Sequence, residues 1–399
     1  MNLPELRKDF PILKDNKVVY FDTACQSLRP LQVIEAVREY YTDYPACSGR
    51  SMHKLAAKVT DKCAESRAVM AKFLGASKPE EIIFTRNTTE GINLVANTLD
   101  WHPGDAVLIS GKEHNSNLIP WQMLVKSKGI ALKVLPSKVD GTFDLEGFEK
   151  LLDKSVKLVS LGFSSNLDGV TIPVEKIIKL ARKNGSLILL DAAQTAPHRQ
   201  INARGLDVDF LALSGHKMLG PSGTGVLYGK KKLLDSLHPF MVGGETVASS
   251  TYESCEFLPV PERFEAGLQD YAGIIGLGEA ARYLQKIGFD AIQKQEAELT
   301  RAIQVGIADL PGLHIIGPQD PALRGGITTF YIDGIDSHRI ALMLDQMANI
   351  CVRSGQHCVH SWFNANAIKG SVRASVYFYN TLEETEIFVE NLKKIRKVL

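Results

Sequence analysis

The 399-residue sequence has no apolar run of the length needed to span a bilayer and no surplus of charge of either sign. Its formal net charge is +1, with Lys+Arg 46 against Asp+Glu 45, which excludes a basic field for nucleic acid and an acidic tail. The N-terminus MNLPELRKDFPIL carries charges throughout and lacks the apolar core of a signal peptide, so the expected location is the cytoplasm. There are six cysteines, Cys25, Cys47, Cys63, Cys255, Cys351 and Cys358, but no CxxC pair, which argues against a disulfide framework and against a zinc site. No metal is expected. Most of these cysteines are expected to be small buried hydrophobes, with one left as a reactive thiol. Internal repeats and low-complexity linkers are also missing. What remains is a small molecule or a protein as partner.

What is present is length enough for a large domain with a smaller companion. From Glu81 onward short β-rich runs alternate with helical patterns: EIIFTR then TEGINLVANTL, AVLISG then NLIPWQMLVKSKG, VKLVSLGF then VEKIIKLARKNG, then SLILLDAA. Several of these runs are apolar on both faces, which predicts an α/β domain with a mainly parallel sheet covered by helices. After about Pro259 longer helical stretches and a few strands predict a smaller α+β unit. The expected division is residues 15–265 for the large domain, with 1–14 and 266–399 forming the small one.

Ligands of such sheets lie beyond the carboxyl ends of the strands. In FLALSGHKMLGPSGTGVLYG, Lys217 stands where the chain leaves one apolar run, Phe210 to Leu213, and turns back into another, Val226 to Tyr228. It is a solvated loop lysine, part of a phosphate-binding turn, or a Schiff-base amine. The turn lacks the GxxxxGK[ST] order of a nucleotide loop. Asp191 ends the run SLILLD one strand earlier; it caps a helix or binds a protonated pyridine nitrogen. Thr88 and Thr89 open a helix, as N-caps or as a phosphate site at the positive end of the helix dipole. His114 follows AVLISGKE as a solvated histidine or one stacked on a planar ring, and Asn166 follows VSLGFSS as a turn residue or a ligand contact. Each strand end thus offers a group suited to one part of pyridoxal phosphate.

At this point the sequence resembles the class V aminotransferases of fold type I, and within them the SufS-like cysteine desulfurases, over nearly its whole length. The stretches that carry the resemblance are VVYFDTAC, EIIFTRNTTEGINLVA, EHNSNLIPWQ, LDAAQTAPH, LSGHKMLGPSGTGVLYG, RFEAG, GIIGLG, VRSGQHC and RASVYFYNT. The resemblance implies pyridoxal 5′-phosphate as cofactor, with Lys217 as its Schiff-base lysine and Asp191 on the ring nitrogen. It places Gln194 at the ring hydroxyl, His114 over the ring as a stacking and catalytic group, and Thr88, Thr89, Ser214 and His216 at the phosphate. Arg373 would hold the substrate carboxylate with help from Asn166 and Arg353, and Cys358 of GQHC would accept sulfur as a persulfide.

The implied activity is conversion of L-cysteine to L-alanine in a homodimer, passing sulfur to a protein acceptor or scaffold for iron–sulfur assembly or thiolation. Other members of the family act as selenocysteine lyases, cysteine lyases or aminotransferases. Three positions depart from the family pattern. Asn115 stands where relatives commonly have a second histidine, Gly49 to His53 read GRSMH rather than HRGIH, and Leu268 and Gln269 replace Thr-Pro after FEAG. In the family that threonine donates across the dimer interface to the phosphate held by the neighbouring subunit; here either Gln269 substitutes for it or nothing does.

Overall fold

The computed structural model describes residues 2–15 and 17–399. In chain order the strands are β1 (Val19–Tyr20), β2 (Ile82–Thr85), β3 (Ala106–Ser110), β4 (Ala131–Leu135), β5 (Val156–Gly162), β6 (Leu187–Asp191), β7 (Phe210–Ser214), β8 (Gly225–Gly229), β9 (Val247–Ser250) and β10 (Cys255–Phe257). They continue with β11 (Leu313–Ile316), β12 (Ile327–Ile332), β13 (Ile350–Cys351), β14 (Arg353–Gly355) and β15 (Ser371–Ser375).

Seven of them form one sheet in the order β2-β8-β7-β6-β5-β3-β4. The pairs from β7 to β4 are parallel, and β8 runs against both of its neighbours. Side chains alternate between the two faces as the two-residue period of a strand requires. Leu211 and Leu213 of β7 and Ile188 and Leu190 of β6 enter one core, while Phe210, Ala212 and Leu189 enter the other. Both faces are therefore buried, which is why these runs read as continuously apolar.

Strand β4 escaped the sequence pattern because it lies at the sheet edge, where ALKVL is mostly half-buried or exposed and includes Lys133. A second, antiparallel sheet, β11-β12-β15-β14, packs its apolar side against the helices Phe289–Ile307, Ser337–Ala348 and Leu382–Val398. The run VYFY after Arg373 does not continue β15 beyond Ser375.

The N-terminal segment is shared. Phe10 and Leu13 pack in the core of the seven-stranded sheet, whereas Val19 and Phe21 pack in the C-terminal core. Strand β1 pairs in parallel with β13, and Asp22 bridges Ser375. The mostly buried helix Tyr271–Ile287 links the two bodies. No helix among the described residues is long and apolar enough to cross a membrane. The expectation for the cysteines fails: Cys47 and Cys255 are exposed and the other four are half-buried, and the two that lie in strands, Cys255 and Cys351, belong to two-stranded pairs rather than to the large sheet.

Candidate active site

The carboxyl ends of β3, β5, β6 and β7 lie along one edge of the large sheet, and the small sheet closes over that edge. Between them is a cavity of about 240 Å³. Its wall contains all twelve residues singled out from the sequence: Thr88, Thr89, His114, Asn166, Asp191, Gln194, Ser214, His216, Lys217, Arg353, Cys358 and Arg373.

Strands β6 and β7 are parallel neighbours with Asp191 opposite Ala212, so Lys217, in the 3-10 turn Gly215–Lys217 that follows β7, comes to the same edge. Dense protein surrounds Lys217, although its side chain keeps access to the cavity. Burial lowers its ammonium pKa, which Asp191 opposes and Arg373 reinforces. Burial raises the Asp191 carboxyl, and Lys217 pulls it back. Among the described residues Asp191 accepts one hydrogen bond, from the Ala193 amide to Oδ1 at 2.9 Å. A carboxylate this dry needs a further donor, and a ring N–H supplies one.

His114 is held neutral. Its Nδ1 accepts from the Ser116 amide at 3.1 Å, and burial, then Lys217 and Arg373, push its pKa down to about 3. A neutral imidazole suits contact with a planar ring better than a cation would beside two other cations. Gln194 donates through Nε2 to the Ala24 carbonyl at 2.7 Å and leaves Oε1 buried without a partner. That orphaned acceptor, beside Asp191, fits a ring bearing a hydroxyl donor.

The helix Thr88–Thr98 begins at this edge, and its N-cap is Asn87, whose Oδ1 accepts from the Glu90 amide at 3.0 Å. Thr88 and Thr89 are therefore not caps but the first helical residues, leaving their hydroxyls for other partners. Thr88 Oγ1 lies 2.7 Å from Ser214 Oγ, and Thr89 Oγ1 lies 2.7 Å from Ser116 Oγ. These hydroxyls at a helix N-terminus suit an anionic group. His216 stays neutral as well, its pKa pushed down to about 4 by burial and Lys217. The Gln269 amide turns back on its own loop in the single chain, donating to the Ala266 and Gly267 carbonyls at 3.0 and 3.2 Å.

The opposite wall comes from the small sheet. Arg353 and Arg373 are directly opposed across β14 and β15, so both side chains leave the same face, toward the cavity. Arg373 is 2% exposed, donates through Nη1 to the Asn166 carbonyl at 2.9 Å and keeps Nε without a partner. Asp22 lies 3.7 Å from its Nη2. Asn166 donates through its side-chain amide to the His357 carbonyl at 2.8 Å and so steadies the cysteine loop.

That loop is unusual in its backbone. His357 and Cys358 have φ of 49° and 60°, the left-handed region that ordinary residues avoid. The Asn115 amide donates to the Cys358 carbonyl at 2.8 Å, and the Asn115 side chain meets His360 Nδ1 at 2.9 Å. The departure at Asn115 thus clips the loop to the wall.

Among the wall residues that sequence reasoning missed, two carry ionisable groups of note. Glu113 is buried against Ser110, Asn117 and the Gly162 amide. Cys25 lines the same cavity as Cys358 and accepts from Arg353 Nη1 at 3.0 Å, so Cys358 is not alone in its setting. Only the position of DTAC just after β1 could have flagged it.

The family model described as Aminotransferase class-V matches residues 19–388. A probable cysteine desulfurase of Halalkalibacterium halodurans is 39% identical, covering 100% of this chain and 98% of its own. A cysteine desulfurase of Enterobacter sp. is 38% identical, covering 99% of this chain and 98% of its own. Among solved structures, the apo cysteine desulfurase of Thermococcus onnurineus superimposes with a TM-score of 0.96 at 39% identity, covering 100% of this chain and 99% of that one. An Escherichia coli cysteine desulfurase in an S-sulfonic acid form gives 0.93 at 30% identity over 100% and 99%. A lysine and a carboxylate at this sheet edge, faced by two arginines of the small sheet, in a chain matched along nearly all its length, have one reading: the protein belongs to the class V aminotransferase family.

Proposed function

We propose that the protein is a pyridoxal 5′-phosphate-dependent L-cysteine desulfurase. The observation that carries this reading is the convergence of Lys217, Asp191, Arg373 and Cys358 on one cavity. The orphaned Gln194 Oε1 and the half-satisfied Asp191 carboxylate fit the cofactor's ring, and the hydroxyls of Thr88, Thr89 and Ser214 fit its phosphate.

Pyridoxal phosphate, when bound, supplies an electron sink that weakens bonds around an amino acid's α-carbon. The protein does the rest. Lys217 Nζ makes the covalent attachment and, once displaced by the substrate amine, carries the α-proton; the lowered pKa keeps more of it as free amine. Arg373 grips the substrate carboxylate through its unpaired edge, with Arg353 adding positive charge beside it. His114 and Gln194 fix the plane of the reacting group. Cys358 Sγ attacks the substrate sulfur, the carbon–sulfur bond breaks, the sulfur stays as a persulfide and alanine leaves.

The acting unit is a homodimer. Three loops at one face lie together, joined by the Arg50–Glu245 ion pair and by the Gly267 amide on the Gly244 carbonyl, and they expose Met52, Val242 and Leu268. A second copy covers such a patch. A protein acceptor in the cytoplasm, serving iron–sulfur assembly or thiolation, takes the sulfur on.

The test is incubation of the purified protein with L-cysteine and no keto acid, following alanine and persulfide on Cys358. Alanine in step with persulfide supports the reading. Alanine only with an added keto acid marks an aminotransferase, and free sulfide with pyruvate marks a lyase.

A further inference from the structure

The half-buried thiol of Cys25 is a nucleophile at the cavity wall for which the reaction above has no use. Its place is fixed from both sides. The Ala24 carbonyl accepts from Gln194 of the large body, the Ala24 amide donates to Ser375 Oγ of the small one, and the Cys25 amide closes a turn on the Asp22 carbonyl at 3.0 Å. A side chain so framed has little freedom of direction, and Arg353 Nη1 meets its sulfur at 3.0 Å. Cys358 lines the same 240 Å³. Lys217 and Arg373 each sense the charge of both sulfurs, so two thiols share three cations.

Cys358 and Cys25 differ in anchoring. Cys358 rides on a loop at positive φ, held through its carbonyl and not through its side chain. Cys25 sits on the seam between the two bodies. Arg373 carries an unpaired Nε, 2% exposed, into the same space, so the cavity is built to take a charged guest there.

We propose that Cys25 is a second sulfur-carrying thiol, loaded from Cys358, so that the chain stores one sulfane sulfur in its interior while Cys358 is freed for another turnover. This rests on the desulfurase reading. In the step, Cys25 Sγ attacks the outer sulfur of the Cys358 persulfide; the new bond joins Cys25 to that sulfur, and the bond from it to Cys358 Sγ breaks. The electron pair stays on Cys358 Sγ, and the proton leaving Cys25 ends on Cys358 or on solvent. The transferred sulfur keeps its oxidation state, so no oxidant or reductant is consumed. Such exchange runs through the thiolate. Arg353, assigned above to the substrate, then also holds the stored sulfur in place.

The holoenzyme is pulsed with L-cysteine, quenched with an alkylating agent and mapped peptide by peptide for persulfide. The expected result is label on Cys358 first and on Cys25 after it, and in Cys358→Ser a fall at Cys25 by about tenfold or more. In Cys25→Ala the Cys358 peptide remains labelled, which shows that the variant folds and assigns the second signal. A parallel arm replaces L-cysteine by inorganic polysulfide, which loads thiols without any cysteine chemistry. Label on Cys358 with none on Cys25 in both arms overturns the proposal, as does Cys25 label undiminished in Cys358→Ser. Dependence of Cys25 label on Cys358 with polysulfide, together with no alanine from L-cysteine, sinks the desulfurase reading and leaves the relay standing.

Discussion

Glu113 gives the most quantitative test of the cavity. Its carboxyl is 5% exposed and is pushed up from 4.5 to about 7, first by burial, with Asp191 adding to the rise; bonds from Ser110, Asn117 and the Gly162 amide hold it back. The folded state therefore favours the protonated acid. Stability from this group is full below pH 4.5 and is lost as pH rises toward and through 7, because the native form binds the proton more tightly than the unfolded chain does. At 1.36 kcal/mol per pKa unit, linkage over that interval amounts to about 2 to 3 kcal/mol between roughly pH 5 and pH 8.

Glu113→Gln removes the titration while keeping the shape: the amide oxygen can accept from Asn117 and Gly162, and its nitrogen can donate to Ser110. Urea unfolding of both proteins across that pH range cancels every other titrating group. The wild type should lose about 2 to 3 kcal/mol relative to the variant as pH rises. Parallel curves would refute the reasoning, since they would mean that the three hydrogen bonds fully offset burial and the carboxylate is ionised throughout.

Other outcomes are expected at the site. Lys217→Ala should lose the visible absorbance of the bound cofactor and all turnover of L-cysteine; a variant that stays yellow through a reducible lysine linkage and still makes alanine refutes the role. Cys358→Ala should keep cofactor and substrate binding but lose desulfuration, while cleaving selenocysteine, whose selenium leaves without a nucleophile's help; assays of both substrates decide. Asn115→Ala removes one exposed hydrogen bond to His360, about 1 kcal/mol, and should speed alkylation of Cys358 up to about fivefold. Glu265→Gln breaks a buried pair in which both carboxylate oxygens meet Arg67, at 2.7 and 2.8 Å, and should cost roughly 3 to 5 kcal/mol in unfolding free energy.

The sequence made the strand-end residues legible because Asp191, Lys217 and His114 each follow a run buried on both faces, so the runs marked where side chains emerge. Position along a strand does not report orientation. Asn166 follows β5 as expected and donates through its amide to the His357 carbonyl, and the Gln269 amide turns back on its own loop in the single chain. Strand β4 was missed because a half-wet edge strand loses the apolar signal. Cys25 was missed for a different reason: its setting is made by Arg353, 328 residues away, and no local pattern carries that.

The N-terminal segment has a consequence for how the chain comes to exist. Val19 pairs with Ile350, Asp22 with Ser375, and the Thr23 hydroxyl with that of Tyr379, across separations of more than three hundred residues. Contacts that distant carry a high loop-closure cost and form late. During synthesis β1 waits, unpaired, until Ile350 and Ser375 have left the ribosome, and only then do Arg353 and Arg373 reach the strand ends that emerged long before. A nascent chain cannot carry a competent cavity before Arg373 has emerged, so the enzyme begins to handle sulfur only after that point in its synthesis.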